Sequence, residues 1–286
     1  RGLATHTTIT GNTFNNNAFS IYMPANALTG GSVSFGAGNN FIAGADTLQH
    51  IVWRGASTLD LTGVEFNGLL GSDMSLAELL ELEDLITHGT DNAGSGLALV
   101  DGGNVFVTQN SGSIQRGVDV AGAGFTVNVG DGTYNEHVVI HTADLTLRSA
   151  SQYGAIIDAG GTGYGVSVSS AHGPLGVLTV DGFTVQNWNT GGINQGMAAA
   201  GAATVHVRNN QVIGPVGGST AHGNGIQVSG DGSTVTGNTV SGAILNSADW
   251  SGSGILVVNG SNITVAGNQV SGSDVGIGVM NWNAAE

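Results

Sequence analysis

Over most of its length the chain alternates apolar and polar residues in short runs, each run ending at a Gly or Asn corner. "TTITGNTFNN" (7–16), "LDLTGVEFNG" (59–68), "LTVDGFTVQN" (178–187), "VHVRNNQVIG" (205–214), "TVTGNTVSGA" (234–243) and "ITVAGNQVSG" (263–272) share this form, and "VSFGAGNNFI" (33–42) is a looser copy. Between them fall shorter runs: "GVSV" (165–168), "GIQV" (225–228), "GILV" (254–257) and "GIGV" (276–279). A period of two residues predicts strands with one buried face.

The corner residues Asn210, Asn238 and Asn268 are 28 and 30 residues apart. A repeat of that length, holding two or three short strands, predicts one turn of a parallel β-solenoid. One turn cannot bury its own inward row. Stacking turns at about 4.8 Å pairs each strand with its copies and lines up the inward Val and Ile as columns. Asn12, Asn210, Asn238 and Asn268 are the expected structural corners. Asparagine tolerates left-handed backbone, and its amide can bond the next amide in a stack.

The pattern breaks at "SDMSLAELLELEDLITH" (72–88). Leu76, Leu79, Leu80, Leu82, Leu85 and Ile86 follow helical spacing, Ser75 with Glu78 forms a capping box, and Gly89 offers a C-cap. This predicts one amphipathic helix near 73–88, covering the exposed end of a β-coil.

The segment "SGSIQRGVDVAGAGFTVNVGDGTYNEHVVIHTADLTLRS" (111–149) resembles the opening coil of right-handed parallel β-helix proteins of the pectin-lyase-like class. The matching positions are Ile114, Gln115, Val118 and Ala121, then Val127, Val129, Gly132, Tyr134, Glu136, Val138 and Ile140, then Leu145 and Leu147. The resemblance implies an all-β, right-handed parallel β-helix of the extracellular bacterial repeat type. It implies no particular activity, because this fold hosts many chemistries.

These readings divide the chain into terminal coils of one β-helix block (1–70), a helical cap or junction (71–95), and a second block with its own opening coil (96–286). If copies followed one another, the interval from Asn268 to the next Asn12 would be 30 residues, the same as from Asn238 to Asn268. The expected organisation is therefore one period of a head-to-tail array, covalent or assembled. An interface of that kind does not close and generates a fibre.

Composition narrows the choice of partner. The chain has no lysine, five arginines against 20 acidic residues, and a net charge of −15. Phosphate binding needs clustered Lys or Arg, so nucleic acid and anionic membrane are disfavoured. Lysine-dependent lyase or epimerase chemistry is excluded. With no cysteine there is neither disulfide nor thiolate site. No apolar run reaches the roughly 18–20 residues of a membrane helix.

Few residues offer chemistry. Asp158 and Asp181, about one turn apart, could stack as an acidic pair that holds Ca²⁺, contacts sugar or works as acid and base; turn capping explains them as well. Trp188, Trp250 and Trp282 sit between strand runs, where they could stack on sugars or on a lateral neighbour, or tuck against the wall. His137 and His141 lie on one strand, too far apart for one metal, while His172, His206 and His222 come from separate turns. The sequence points to a secreted, cell-surface structural protein that stacks into a fibre, sheath or adhesive stalk and needs no cofactor. The alternatives are a polysaccharide-active or polysaccharide-binding β-helix and a calcium-stabilised adhesin.

Overall fold

A computed structural model describes residues 6–24, 32–168, 175–196 and 203–281. The chain forms two compact units, Arg1–Ala121 and Gly122–Glu286, and parallel β-coils build both.

In the first unit, β1 (His6–Ile9), β2 (Thr13–Asn15) and β3 (Phe19–Met23) form one coil. The next coil holds β4 (Ser32–Phe35), β5 (Asn40–Ile42) and β6 (Gln49–Trp53), each parallel to its counterpart. The third opens with β7 (Leu59–Asp60) and β8 (Glu65–Phe66), and β8 pairs with β5. The coil is then interrupted. β9 (Leu69–Leu70) turns back antiparallel on β8, a 3-10 turn spans Gly71–Asp73, and helix α1 (Leu76–Glu83) follows. β10 (Ile86–Thr87) then resumes the coil beside β6. β11 (Ala98–Leu99) pairs with β7, and β12 (Asn104–Val107) and helix α2 (Ile114–Val120) complete the unit.

The interruption has a packing reason. Phe14, Phe41 and Phe66 occupy equivalent positions on β2, β5 and β8. Their rings stack with centroids 4.5 and 5.4 Å apart. Leu79 and Leu82 of α1 join Phe41, Phe66 and Ile86 in one core cluster. Each such leucine contributes roughly 1.5–3 kcal/mol by leaving water.

Two expectations need correction here. The helix runs only from 76 to 83. The capping box forms as the sequence predicts, with Ser75 Oγ accepting from the Glu78 N–H and the Glu78 carboxylate accepting from the Ser75 N–H at 2.8 Å. The far end stops early because Ile86 and Thr87 gain strand partners on β6, so Gly89 caps nothing. A second helix, α2, occupies part of the segment read as an opening β-coil. Its N-cap is Ser113, whose Oγ accepts from Arg116 N–H. Within the first unit β11 pairs with β7, and β12 packs on both helices.

The second unit contains six regular coils among the described residues. They are β13 (Thr126–Val129), β14 (Gly132–Asn135) and β15 (Val138–Ile140); β16 (Thr146–Ser149), β17 (Ala155–Asp158) and β18 (Tyr164–Val168); and β19 (Val177–Asp181), β20 (Thr184–Gln186) and β21 (Gly191–Gln195). Then come β22 (Thr204–Arg208), β23 (Gln211–Ile213) and β24 (Asn224–Val228); β25 (Thr234–Thr236), β26 (Thr239–Ser241) and β27 (Ser253–Val258); and β28 (Thr264–Ala266), β29 (Gln269–Ser271) and β30 (Val275–Met280). First, second and third strands each stack into their own parallel sheet. Val127, Leu147, Val180, Val207 and Val235 form one inward column, all at 0% exposure. Val166, Ile193, Ile226 and Ile255 form another, none above 2%.

At the corner between first and second strands, the left-handed residue is the one before the ladder asparagine. Gly11, Gly38, Asn209, Gly237 and Gly267 have φ of 67, 78, 55, 65 and 66°. The next residue, Asn12, Asn39, Asn210, Asn238 or Asn268, has ordinary backbone and turns its amide along the stack. Two requirements met at one corner, a left-handed residue and an inward amide, are thus divided between neighbours.

Candidate functional site

The sequence singled out the corner asparagines, and the structure places three of them one above another. Asn210 N–H and Nδ2 donate to Asn238 Oδ1 at 2.9 and 3.1 Å. Asn238 N–H and Nδ2 donate to Asn268 Oδ1 at 2.9 and 3.0 Å. In the first unit Asn12 makes the same two bonds to Asn39, both 3.2 Å. Asn210 Oδ1 in turn accepts from Phe183 N–H at 2.9 Å.

Asp158 and Asp181 do not stack. Asp158 lies on the second sheet between Asn135 and Gln186, and Asp181 on the first between Arg148 and Arg208. Burial opposes ionisation of Asp158. The Gly160 N–H and the Gln186 and Asn187 amides outweigh it, at 3.0, 3.0 and 2.6 Å, and hold its carboxyl below the usual range. Asp181 receives Arg208 Nε and Asn209 Nδ2, both at 3.0 Å. Each carboxylate thus ties its own coil to the following one. Among the described residues no group of three or more His, Asp or Glu could hold a metal ion.

The tryptophans separate. Trp188 is at 0% exposure, with no surface to offer a sugar, and its Nε1 has no partner among the described residues. Trp250 is 58% exposed. Trp282 and His172 lie outside the described residues. His137 Nδ1 donates to Tyr164 O and its Nε2 pairs with Thr162 Oγ1, His141 Nδ1 donates to Val139 O, and His206 Nδ1 pairs with Thr234 Oγ1. His222 is not brought to these; it lines a groove.

That groove, ≈ 560 Å³, runs along the outer face of the third sheet of the second unit. Tyr164, Asn194, Gln227 and Leu256 project from successive strands, while His222 and Trp250 come from the longer loops between second and third strands. Its amides are ordered by their neighbours. Asn224 Nδ2 donates to Gln227 Oε1 at 3.0 Å, and Gln227 Nε2 donates to Gln195 O at 3.1 Å. Burial raises the Tyr164 phenol above its ordinary value, so it stays protonated. Of this lining, sequence reasoning found Trp250 and His222. Asn194 and Gln227 were legible only as polar members of an alternating strand, since which polar face meets a loop depends on coil stacking.

A smaller depression of ≈ 320 Å³ in the first unit is lined by Arg54, Arg116 and the loop from Asp91 to Ser95. Nearby, Glu83, His88 and Thr90 form a buried cluster. Glu83 Oε1 lies 2.9 Å from His88 Nε2 and 2.8 Å from Thr90 Oγ1. Ala98 N–H donates to His88 Nδ1, so the ring carries its proton on Nε2 and gives it to Glu83. At 4% exposure or less for all three, the cluster ties α1 to the following turn and faces no substrate.

Searches of protein-family models, curated proteins and solved structures returned no match to this chain.

Proposed function

We propose that the chain is a structural β-solenoid, right-handed and of the pectin-lyase-like coil type, secreted to a cell surface, where copies stack head to tail into a fibre, sheath or stalk. One observation carries this reading. In the coil β28–β30, Ile277 and Val279 are 52 and 81% exposed, while their counterparts one coil back, Ile255 and Val257, are 0 and 8% exposed. These are core positions that one further coil, whether of the same chain or of another copy, would cover. Electron microscopy of the purified chain should show filaments that lengthen with protein concentration, and sedimentation should show a matching series of oligomers. A single monomeric species at every concentration would reject the proposal.

A second reading, a polysaccharide-binding wall, is favoured by the groove at Trp250. An exposed indole beside ordered amides and a neutral phenol suits a neutral sugar, whose apolar ring face stacks and whose hydroxyls bond amides. Among the described residues no carboxylate or arginine lines the groove, which supports binding over acid–base cleavage. Trp250→Ala should abolish retardation of the chain in gels containing the bound glycan, with unfolding unchanged. The calcium-stabilised form would require a thermal midpoint lowered by chelator.

A further inference from the structure

We infer that the depression of the first unit binds a small hydroxylated carboxylate, its acid group held between Arg54 and Arg116 and its hydroxyls on the Asp91–Ser95 loop. The inference depends neither on stacking nor on the groove at Trp250.

The first argument is the state of the two arginines. The chain has five arginines against 20 acidic residues, so an arginine without a partner is the exception. Arg208 bonds Asp181, and Arg148 bonds Asn128. The side chains of Arg54 and Arg116 have no partner among the described residues, although both are half-buried and line one depression. The nearest carboxylates along the chain are engaged elsewhere. Asp119, about one turn along α2 from Arg116, accepts from Gln115 Nε2 at 2.8 Å. Asp91 accepts from His88 N–H at 2.8 Å. A half-buried guanidinium with no partner carries a desolvation cost that a bound oxyanion removes.

The second argument is how the depression is built. Arg54 N–H donates to Met23 O at 3.1 Å, and Gly96 N–H donates to Gly55 O at 2.7 Å, which ties the loop's end beside Arg54. Within the loop, Asn92 N–H donates to His88 O at 2.9 Å and Ser95 N–H to Asn92 O at 3.2 Å. Gly112 has φ of 116°, and a Cβ there would lie 1.9 Å from Thr90 O. Glycine therefore lets the segment leading into α2, and with it Arg116, press against this loop. The Ala93 and Gly94 N–H groups and the Asn92 and Ser95 side chains have no hydrogen-bond partner among the described residues. They are the donors and acceptors that a ligand's hydroxyls would meet.

The third argument is charge and size. Guanidinium forks match carboxylate and phosphate alike. Two arginines and Asp91 leave one net positive charge in the lining, which balances a monoanion. A dianion would keep excess negative charge on a chain already at −15. The volume of ≈ 320 Å³ is far above the roughly 30 Å³ share of one water, so an organic acid rather than a bare ion fills it.

Titration calorimetry with D-gluconate tests this. Gluconate should bind at one saturable site, at least ten times more tightly than sorbitol, which lacks the carboxylate, or acetate, which lacks the hydroxyls. Arg54→Gln and Arg116→Gln should each weaken gluconate at least tenfold. Because neither guanidinium has a partner, circular dichroism and urea midpoints should stay unchanged. Arg208→Gln, the same change of charge in the second unit, should bind as wild type does. No saturable heat with gluconate, unchanged affinity in both arginine variants, or acetate or inorganic phosphate binding as tightly as gluconate would each overturn the inference.

Discussion

The amide of Asn238 shows how much one side chain holds in this fold. At 1% exposure it accepts two bonds from Asn210 and gives its Nδ2 to Val207 O, Thr236 O and Asn268 Oδ1. Asn238→Ala strands several buried polar groups, and at about 1–3 kcal/mol for each unsatisfied group the loss should be on the order of 3 kcal/mol or more. Asn268→Ala, in the more exposed last coil, should cost less; urea unfolding of the two variants will show the order. His50 is a different case. It is 1% exposed, neither ring nitrogen has a partner among the described residues, and it packs 5.7 and 5.9 Å from Phe41 and Phe66. Burial lowers its pKa from 6.5, so the fold favours the neutral ring. Above that ordinary value both states are neutral and its contribution is complete. As pH falls from there through the folded value, the unfolded chain takes the proton first and stability is lost. His50→Leu should flatten that acid limb of a stability–pH curve measured by urea midpoints. The role of His50 was not legible in the sequence, where one histidine in "TLQHIVW" carries no sign of the phenylalanine column beside it.

At the scale of elements, local signals settled where structure starts better than where it stops. The capping box at Ser75 is a contact within one turn, so it was readable, and Ser75→Ala should cost about 1 kcal/mol of stability in thermal unfolding. The end of α1 was not readable, because leucine spacing continues through 85 and 86 while β6 recruits Ile86 and Thr87 into a sheet. Likewise α2 and the strands after it share apolar spacing, and length alone did not separate them. The glycine that opens "GVSV", "GIQV" and "GILV" was visible, but its reason lies between coils. A Cβ built at Gly165, Gly225 or Gly254 would meet Val185, Val240 or Val270 Cγ1 at 2.3, 2.5 and 2.3 Å. Each valine belongs to the next coil, so the glycine lets that coil close over the corner. Gly225→Ala should destabilise by about 1–3 kcal/mol, and denaturant titration can check it.

For the whole molecule, a charge of −15 on every copy opposes association over distances longer than the screening length. If copies stack as proposed, raising salt should therefore lengthen the stacks, and light scattering against ionic strength measures this. If assembly weakened with salt, ion pairs rather than coil pairing would hold copies together. The sequence by itself determined the coil: period-two strands, a turn of about 28–30 residues, and the corner asparagines. These follow from contacts that repeat at fixed spacing, so they leave a pattern in one dimension. Only the tertiary structure decided that Asp158 and Asp181 stand on different sheets, that Trp188 is buried while Trp250 borders a groove, and that α1 interrupts a coil. Loops of unequal length set which residues of successive coils become neighbours, and spacing along the chain does not encode that distance.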